Sequence, residues 1–115
     1  MSVIYLASPY THEDRAVEIK RFEQVCKVAG RLMIDGNTVF CPIAMGHPIQ
    51  EHSDPSLPRV LDWWMEHDFA LLEKCDILAV LMLTGWKESP GVAAEMDFAG
   101  EWSTPIIMLN PNAYL

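Results

Sequence analysis

The sequence predicts an α/β fold, a three-layer Rossmann- or flavodoxin-like sandwich around a four- to five-stranded parallel sheet. Three observations predict it. Short apolar runs alternate with longer stretches of helical period, in the order β-α-β-α-β-α-β. Strands that alternate with helices need crossovers, which make the sheet parallel and put helices on both its faces. The 115 residues, taken as residues 1–115, fit one domain, and half of them are hydrophobic, enough for a real core.

Val3 to Ala7 is apolar and reads as the first strand, followed by the turn-rich Ser8-Pro9-Tyr10-Thr11-His12. From about Glu13 the period changes. Phe22, Val25, Cys26, Ala29, Leu32 and Met33 recur at three and four, while Lys20, Arg21, Glu23, Lys27 and Arg31 take the other face of an amphipathic helix. Gly36-Asn37 stops that helix. Thr38-Val39-Phe40-Cys41 is a second strand, ended by Pro42. Residues 43–57, with Gly46, Pro48 and Pro55, read as a long loop, the kind that carries function. Pro58 opens a helix bearing Leu61, Trp64, Met65, Phe69 and Leu72. The apolar run Asp76 to Leu83 is a buried strand, residues 90–102 a further helix, and Pro105 to Leu109 a last strand.

Composition excludes several functions. The net charge is −8, so long nucleic acid is not an expected partner, because phosphate contacts need clustered Lys and Arg. A small anion needs only one local basic site, and Arg15 and Lys87 are the candidates. No apolar run reaches membrane-spanning length, and the start carries no basic region, so a cytoplasmic chain with no membrane partner is expected. Cys26, Cys41 and Cys75 form no C-x-x-C and read as reduced thiols. His47, His52, His67 and Asp54 match no common ligand spacing, so no metal is expected, and the two-carboxylate chemistry read below calls for no cofactor. Four strands in so short a chain leave helix faces poorly covered, so a homo-oligomer, dimer or tetramer, is expected.

The most informative stretch is Ser89-Pro90-Gly91-Val92-Ala93-Ala94-Glu95. Serine then proline starts a helix: the hydroxyl caps a free N–H, and proline's fixed φ suits the first helical position. Gly91 allows close approach to the backbone. A helix start beyond a strand end is an anion cradle. Glu95 leans back toward it, and Val92, Ala93, Met96 and Ala99 give it apolar neighbours, which favours a desolvated nucleophile over a solvated helix residue. Asp68 is either its acid–base partner or a solvent-facing residue; Asp62, six away, does not share its face. Two carboxylates of unequal pKa suit glycosidic cleavage. Ligands of such sheets sit beyond the carboxyl ends of the strands, which gathers loops 7–15, 42–57 and 83–91. Those loops supply Ser8, Tyr10, Arg15 (a fork for phosphate), His47 and Trp86 as further binding candidates. Tyr5 fits the core. Of the adjacent Trp63 and Trp64, one reads as core and the other as exposed or interfacial.

Ile4-Tyr5-Leu6-Ala7-Ser8-Pro9-Tyr10, Gly36-Asn37-Thr38-Val39-Phe40-Cys41-Pro42-Ile43, Cys75-Asp76 and the Ser89–Glu95 stretch together resemble the nucleoside 2-deoxyribosyltransferase-like superfamily. Within it the chain is most similar to small bacterial and phage proteins grouped as the DUF1937 domain of unknown function. The resemblance implies a glutamate nucleophile at Glu95, attacking the anomeric carbon of a deoxyribosyl group to form a covalent intermediate. It implies that Asp68 handles the base and that Tyr5 orients the nucleophile. Transferases of free nucleosides carry an aspartate where this chain has Ser89, which resembles instead the branch hydrolysing 2′-deoxynucleoside 5′-monophosphates. There Ser89 with the Gly91 and Val92 N–H groups would grip phosphate. The first loop, Ala7 to His12, departs from that branch's glycine-rich pattern. The alternative expectation is a non-catalytic module that binds a nucleotide or sequesters a nucleotide signal in the same pocket; a third is an interaction protein using its tryptophans.

Overall fold

The computed structural model describes residues 2–115. Strands β1 (Val3–Ala7), β2 (Thr38–Phe40), β3 (Ile77–Leu81) and β4 (Ile106–Leu109) form one four-stranded sheet in the order β2-β1-β3-β4, every pair parallel. Helices α1 (Arg15–Ile34), α2 (Pro42–His52), α3 (Leu61–Leu72) and α4 (Pro90–Glu101) flank it. The α/β sandwich expected from the alternating pattern is the fold observed. None of the described helices is long and apolar enough to cross a membrane.

The pleat sorts the core into two layers. Ile4 and Leu6 of β1, with Ala79, Leu81 and Leu109, pack on Val25, Val28, Ala29 and Leu32 of α1. Tyr5 and Ala7, with Leu78 and Val80, face the opposite way onto Leu72 of α3 and Val92 and Ala99 of α4. Each fully buried Leu or Val contributes about 1.5–3 kcal/mol, so these two layers carry most of the fold's driving force. Asp76 ties the strand starts together: its Oδ2 accepts from Val3 N at 2.9 Å, and its own N–H donates to Val3 O at 2.8 Å. β4 is an edge strand whose Ile106, Ile107 and Met108 stay more than a third exposed.

Two expectations need correction. Met33, placed on the apolar stripe of α1, lies exposed in its last turn. The stretch 43–57 is not all loop: α2 occupies Pro42–His52. Pro48 and Gly46 together cost an isolated helix roughly 4 kcal/mol, which is why the sequence reads as irregular there. Pro42 at the first helical position costs nothing, and the inward packing of Pro42, Gly46 and His47 supplies the compensation that periodicity alone did not reveal. The irregular remainder is short, between α2 and α3.

The strand order places the site. The chain leaves β1 for β2 on one side and reaches β3 on the other, so the connections diverge above the carboxyl ends of β1 and β3. In open α/β sheets that divergence is where a crevice forms.

Candidate active site

A cleft of about 450 Å³ opens at that point, lined by the loop after β1, by α2, by α3 and by the start of α4. Its floor is Glu95, only 4% exposed, presented by the second turn of α4. From below, the fully buried Tyr5 of β1 donates its hydroxyl proton to Glu95 Oε2. Burial first, then the nearby Glu95 and Asp68 charges, hold the Tyr5 hydroxyl far above the ordinary phenol range, so it remains a donor. Glu95 itself is pushed from 4.5 up to about 8. Burial is the main cause and the Asp68 charge adds to it, while the Tyr5 bond works the other way.

Asp68, on the inner face of α3, is 5% exposed and joins Glu95 in lining the cleft. Burial raises its pKa; His67 Nδ1, 3.4 Å from its Oδ1, pulls in the opposite direction. Asp62 is exposed on the outer face, as its six-residue offset requires. Beside the acids, Ser8 Oγ is buried at the end of β1 and has no hydrogen-bond partner among the described residues. A buried hydroxyl left unpaired costs about 1–3 kcal/mol, and in a cleft a ligand's polar group would recover it.

The walls differ in character. On one side, Trp64, Met65 and Leu61 of α3 and Ile43 of α2 are apolar plates suited to a planar ring. Trp64 is held by its Nε1–H donating to Pro58 O at 2.9 Å. On the other side Tyr10 Oη lies 2.6 Å from Nδ1 of His47, a 5%-exposed residue of α2 stacked on Phe22 at a centroid distance of 4.1 Å. At the mouth, Arg59 donates to Gln50 O at 2.6 Å.

The candidates from the sequence divide accordingly. Glu95, Asp68, Ser8, Tyr10, His47, Ser89 and Gly91 line one cleft, with Tyr5 directly beneath. Three do not line it. Trp86 opens a short 3₁₀ turn, Trp86–Glu88, and packs on the α4-side core, because its ring is better covered there than at the rim; Lys87 Nζ sits over that ring rather than over the cleft. Val92 points into the core, and its N–H donates to the capping Ser89 Oγ at 3.2 Å. The helix start therefore offers one open N–H, that of Gly91, since Pro90 has none. Arg15 stands behind Tyr10, spent on Tyr10 Oη at 2.9 Å, Glu18 at 3.0 Å and Glu51 at 2.9 Å.

Sequence reasoning missed Arg59, Glu18 and the role of Trp64. The signal for Trp64 was present: it stands four residues before Asp68, hence on the same helical face, while Trp63 falls 45% exposed on another. Arg59 had no such signal: it follows Pro58, where the sequence reads as the start of a helix and not as one of the loops of the carboxyl edge, whereas α3 begins only at Leu61.

The family model described as a domain of unknown function (DUF1937) matches residues 2–110. No curated protein matches the chain. Among solved structures, the 2-deoxyribosyltransferase of the psychrotolerant bacterium Bacillus psychrosaccharolyticus superimposes with a TM-score of 0.63 at 22% identity, over 96% of this chain and 73% of that one. The likeness extends to the parallel sheet and its flanking helices, in agreement with the resemblance read from the strand-end segments. With the family match running from the first strand through the last, the chain belongs to the DUF1937 family.

Proposed function

We propose that the chain breaks the N-glycosidic bond of a deoxynucleoside, or of its 5′-monophosphate, through a covalent glycosyl–Glu95 intermediate. One observation carries this reading: a glutamate buried on a cleft floor, clamped by a tyrosine hydroxyl, with a second buried acid on the same cleft. Ionised Glu95 attacks the anomeric carbon from one face of the sugar. The carbon–nitrogen bond breaks, its electron pair leaves with the base, and Asp68 supplies a proton to that base. Water, giving hydrolysis, or a second base, giving transfer, then attacks the sugar carbon. Glu95 departs as carboxylate and Asp68 takes up the nucleophile's proton. The apolar plates of Trp64 and Ile43 would sandwich the base, and Ser8 Oγ would meet a sugar hydroxyl.

Charge supports the neutral nucleoside over the monophosphate. Glu18, Asp68 and Glu95 line the cleft against the single guanidinium of Arg59. A phosphate would rely on Arg59 and the Gly91 N–H. The test is incubation with a panel of deoxynucleosides and their monophosphates, with free base followed by chromatography. Base release by the wild type and none by Glu95→Ala is the expected result; no release from any member by folded protein overturns it.

A second reading, a module that binds a nucleotide or sequesters it as a signal without cleaving it, is favoured by the raised Glu95 pKa, which leaves the carboxyl largely protonated at neutral pH. Calorimetry separates the two. Tight binding of ligand recovered intact, unchanged in Glu95→Gln, supports the module.

A further inference from the structure

We infer that His47 sets the hydrogen-bonding polarity of Tyr10, making Tyr10 an acceptor toward the cleft when His47 is neutral and a donor when His47 is charged. Tyr10 is thereby a specificity-determining residue and His47 the residue that positions its proton. The inference rests on the nucleoside reading above only for the choice of test ligands.

A phenol hydroxyl has one proton and two lone pairs. Arg15 Nη1, a permanent donor, fills one lone pair of Tyr10 Oη from 2.9 Å. The other neighbour is His47 Nδ1, at 2.6 Å. The far ring nitrogen, Nε2, stands 3.1 Å from Glu51 Oε1, which also receives Arg15 Nη2 at 2.9 Å. A carboxylate only accepts, so Nε2 keeps its proton in both charge states, and Nδ1 is the atom that gains or loses one. With Nδ1 bare, Tyr10 must donate to it, and the lone pair that remains can only accept from a ligand. With Nδ1 protonated, the imidazolium donates to Tyr10, both lone pairs are filled, and the Tyr10 proton turns toward the cleft. One proton on His47 inverts what Tyr10 offers.

The packing holds both partners in this arrangement. His47 is buried and stacked on Phe22 with ring planes 19° apart, so the ring is not free to swing its nitrogens elsewhere. Burial also raises the Tyr10 pKa, so its hydroxyl keeps the proton that is being redirected. The charged groups facing His47 are Glu51 on its own helix and Arg15 and Glu18 on α1, with Arg59 and Asp68 elsewhere on the cleft.

Bases differ in what they present: adenine and cytosine carry an amino donor where hypoxanthine and uracil carry an oxo acceptor. Neutral His47 favours the amino member of each pair, and charged His47 the oxo member. The experiment uses the full chain carrying Glu95→Gln to prevent turnover. Calorimetric Kd values for deoxyadenosine, deoxyinosine, deoxycytidine and deoxyuridine are taken between about pH 5 and pH 9, a span that covers ordinary histidine titration. The amino-to-oxo affinity ratio is expected to rise with pH by roughly three- to tenfold, the size of one net hydrogen bond. His47→Gln and Tyr10→Phe in that background should each flatten the ratio. A ratio that stays flat with histidine in place, or rises equally in Tyr10→Phe, overturns the inference. Imidazole ¹⁵N NMR of the unliganded protein decides separately: a neutral Nε2–H tautomer whose Nδ1 signal shifts in Tyr10→Phe supports it, and a neutral Nδ1–H tautomer overturns it. Binding of none of the four nucleosides defeats the nucleoside reading, and the NMR result then decides the His47–Tyr10 coupling by itself.

Discussion

Replacing Glu95 by Gln should stabilise this protein, and more so as pH rises. In the fold the Glu95 carboxyl holds its proton up to about 8, against 4.5 for the exposed group. Between those values the folded chain keeps a proton that the unfolded chain has released, so stability falls as pH climbs through the window and levels off above it. Below 4.5 the acid is neutral in both states, and burial carries no ionic penalty. Each pH unit is worth about 1.4 kcal/mol, which sets a ceiling of roughly 5 kcal/mol for the cost of the buried charge. Glutamine is neutral at every pH and its carbonyl still accepts from Tyr5, but its amide needs a partner of its own. About 1–3 kcal/mol of net gain at alkaline pH is therefore the reasonable expectation. In a chain of this size each kcal/mol moves Tm by about 3–6 °C. The assay is urea or thermal unfolding of wild type and Glu95→Gln at acid, neutral and alkaline pH. The difference should be near zero or unfavourable in acid and favourable in base. A difference that does not change with pH would refute the buried, neutral Glu95.

Catalysis by the proposed route needs one proton held between the two acids, on Asp68 while Glu95 is ionised; because the Asp68 charge raises Glu95, the pair loses its last proton near pH 8, so kcat/KM should fall on the alkaline side near pH 8, and a profile flat through that range would remove the shared proton from the mechanism. Gly85→Ala should cost about 1–3 kcal/mol in chemical denaturation: Gly85 has φ +95°, and an added Cβ would stand 2.7 Å from Arg21 Nη2. Arg21 joins the Tyr10 and Thr11 carbonyls to the Thr84 carbonyl, so this variant should also lower activity more than its stability loss explains; unfolding indistinguishable from wild type would remove Arg21 as the clasp. The chain should self-associate through apolar surface such as the β4 edge, Trp63 and Trp102, and a monomer by light scattering at micromolar concentration would contradict this.

Most of the fold is legible in the sequence because its signals are local and period-bound. The 3.6 repeat from Phe22 to Leu32 and the apolar run ahead of Leu83 each have one reading. What is not legible depends on tertiary packing. Pro48 and Gly46 argue against a helix, and only the contacts made by Pro42, Gly46 and His47 show why α2 forms. Trp86 and Val92 sit at the right height for a site, yet their bulk finds better cover in the core than at the rim. Capping the Val92 N–H and opening the same N–H to an anion are competing uses of one donor, and the Ser89-Pro90 start that predicts a cap does not say whether the Gly91 or the Val92 N–H takes it. Arg15 has the chemistry of a phosphate fork, but its neighbours Glu18 and Glu51, one of them 36 residues away, already occupy it.

The arrangement of costs argues for a ligand more directly than any one residue does. A domain of this kind is stable by about 5–15 kcal/mol. Two raised carboxyls and an unpaired serine hydroxyl consume a sizeable part of that margin, and all three face one cleft. Elsewhere the buried surface is hydrocarbon in two well-sorted layers. A sequence selected for stability alone would fill those three positions with apolar side chains at no loss to the fold. Tyr5 shows how tightly the two demands are joined. Its ring belongs to the α3–α4 core, fixed by the pleat between Ile4 and Leu6, and its hydroxyl is the clamp on Glu95. A slip of one residue in β1 would turn that hydroxyl to the α1 side and leave the glutamate buried with no partner. The register that packs the sheet is thus the register that builds the site.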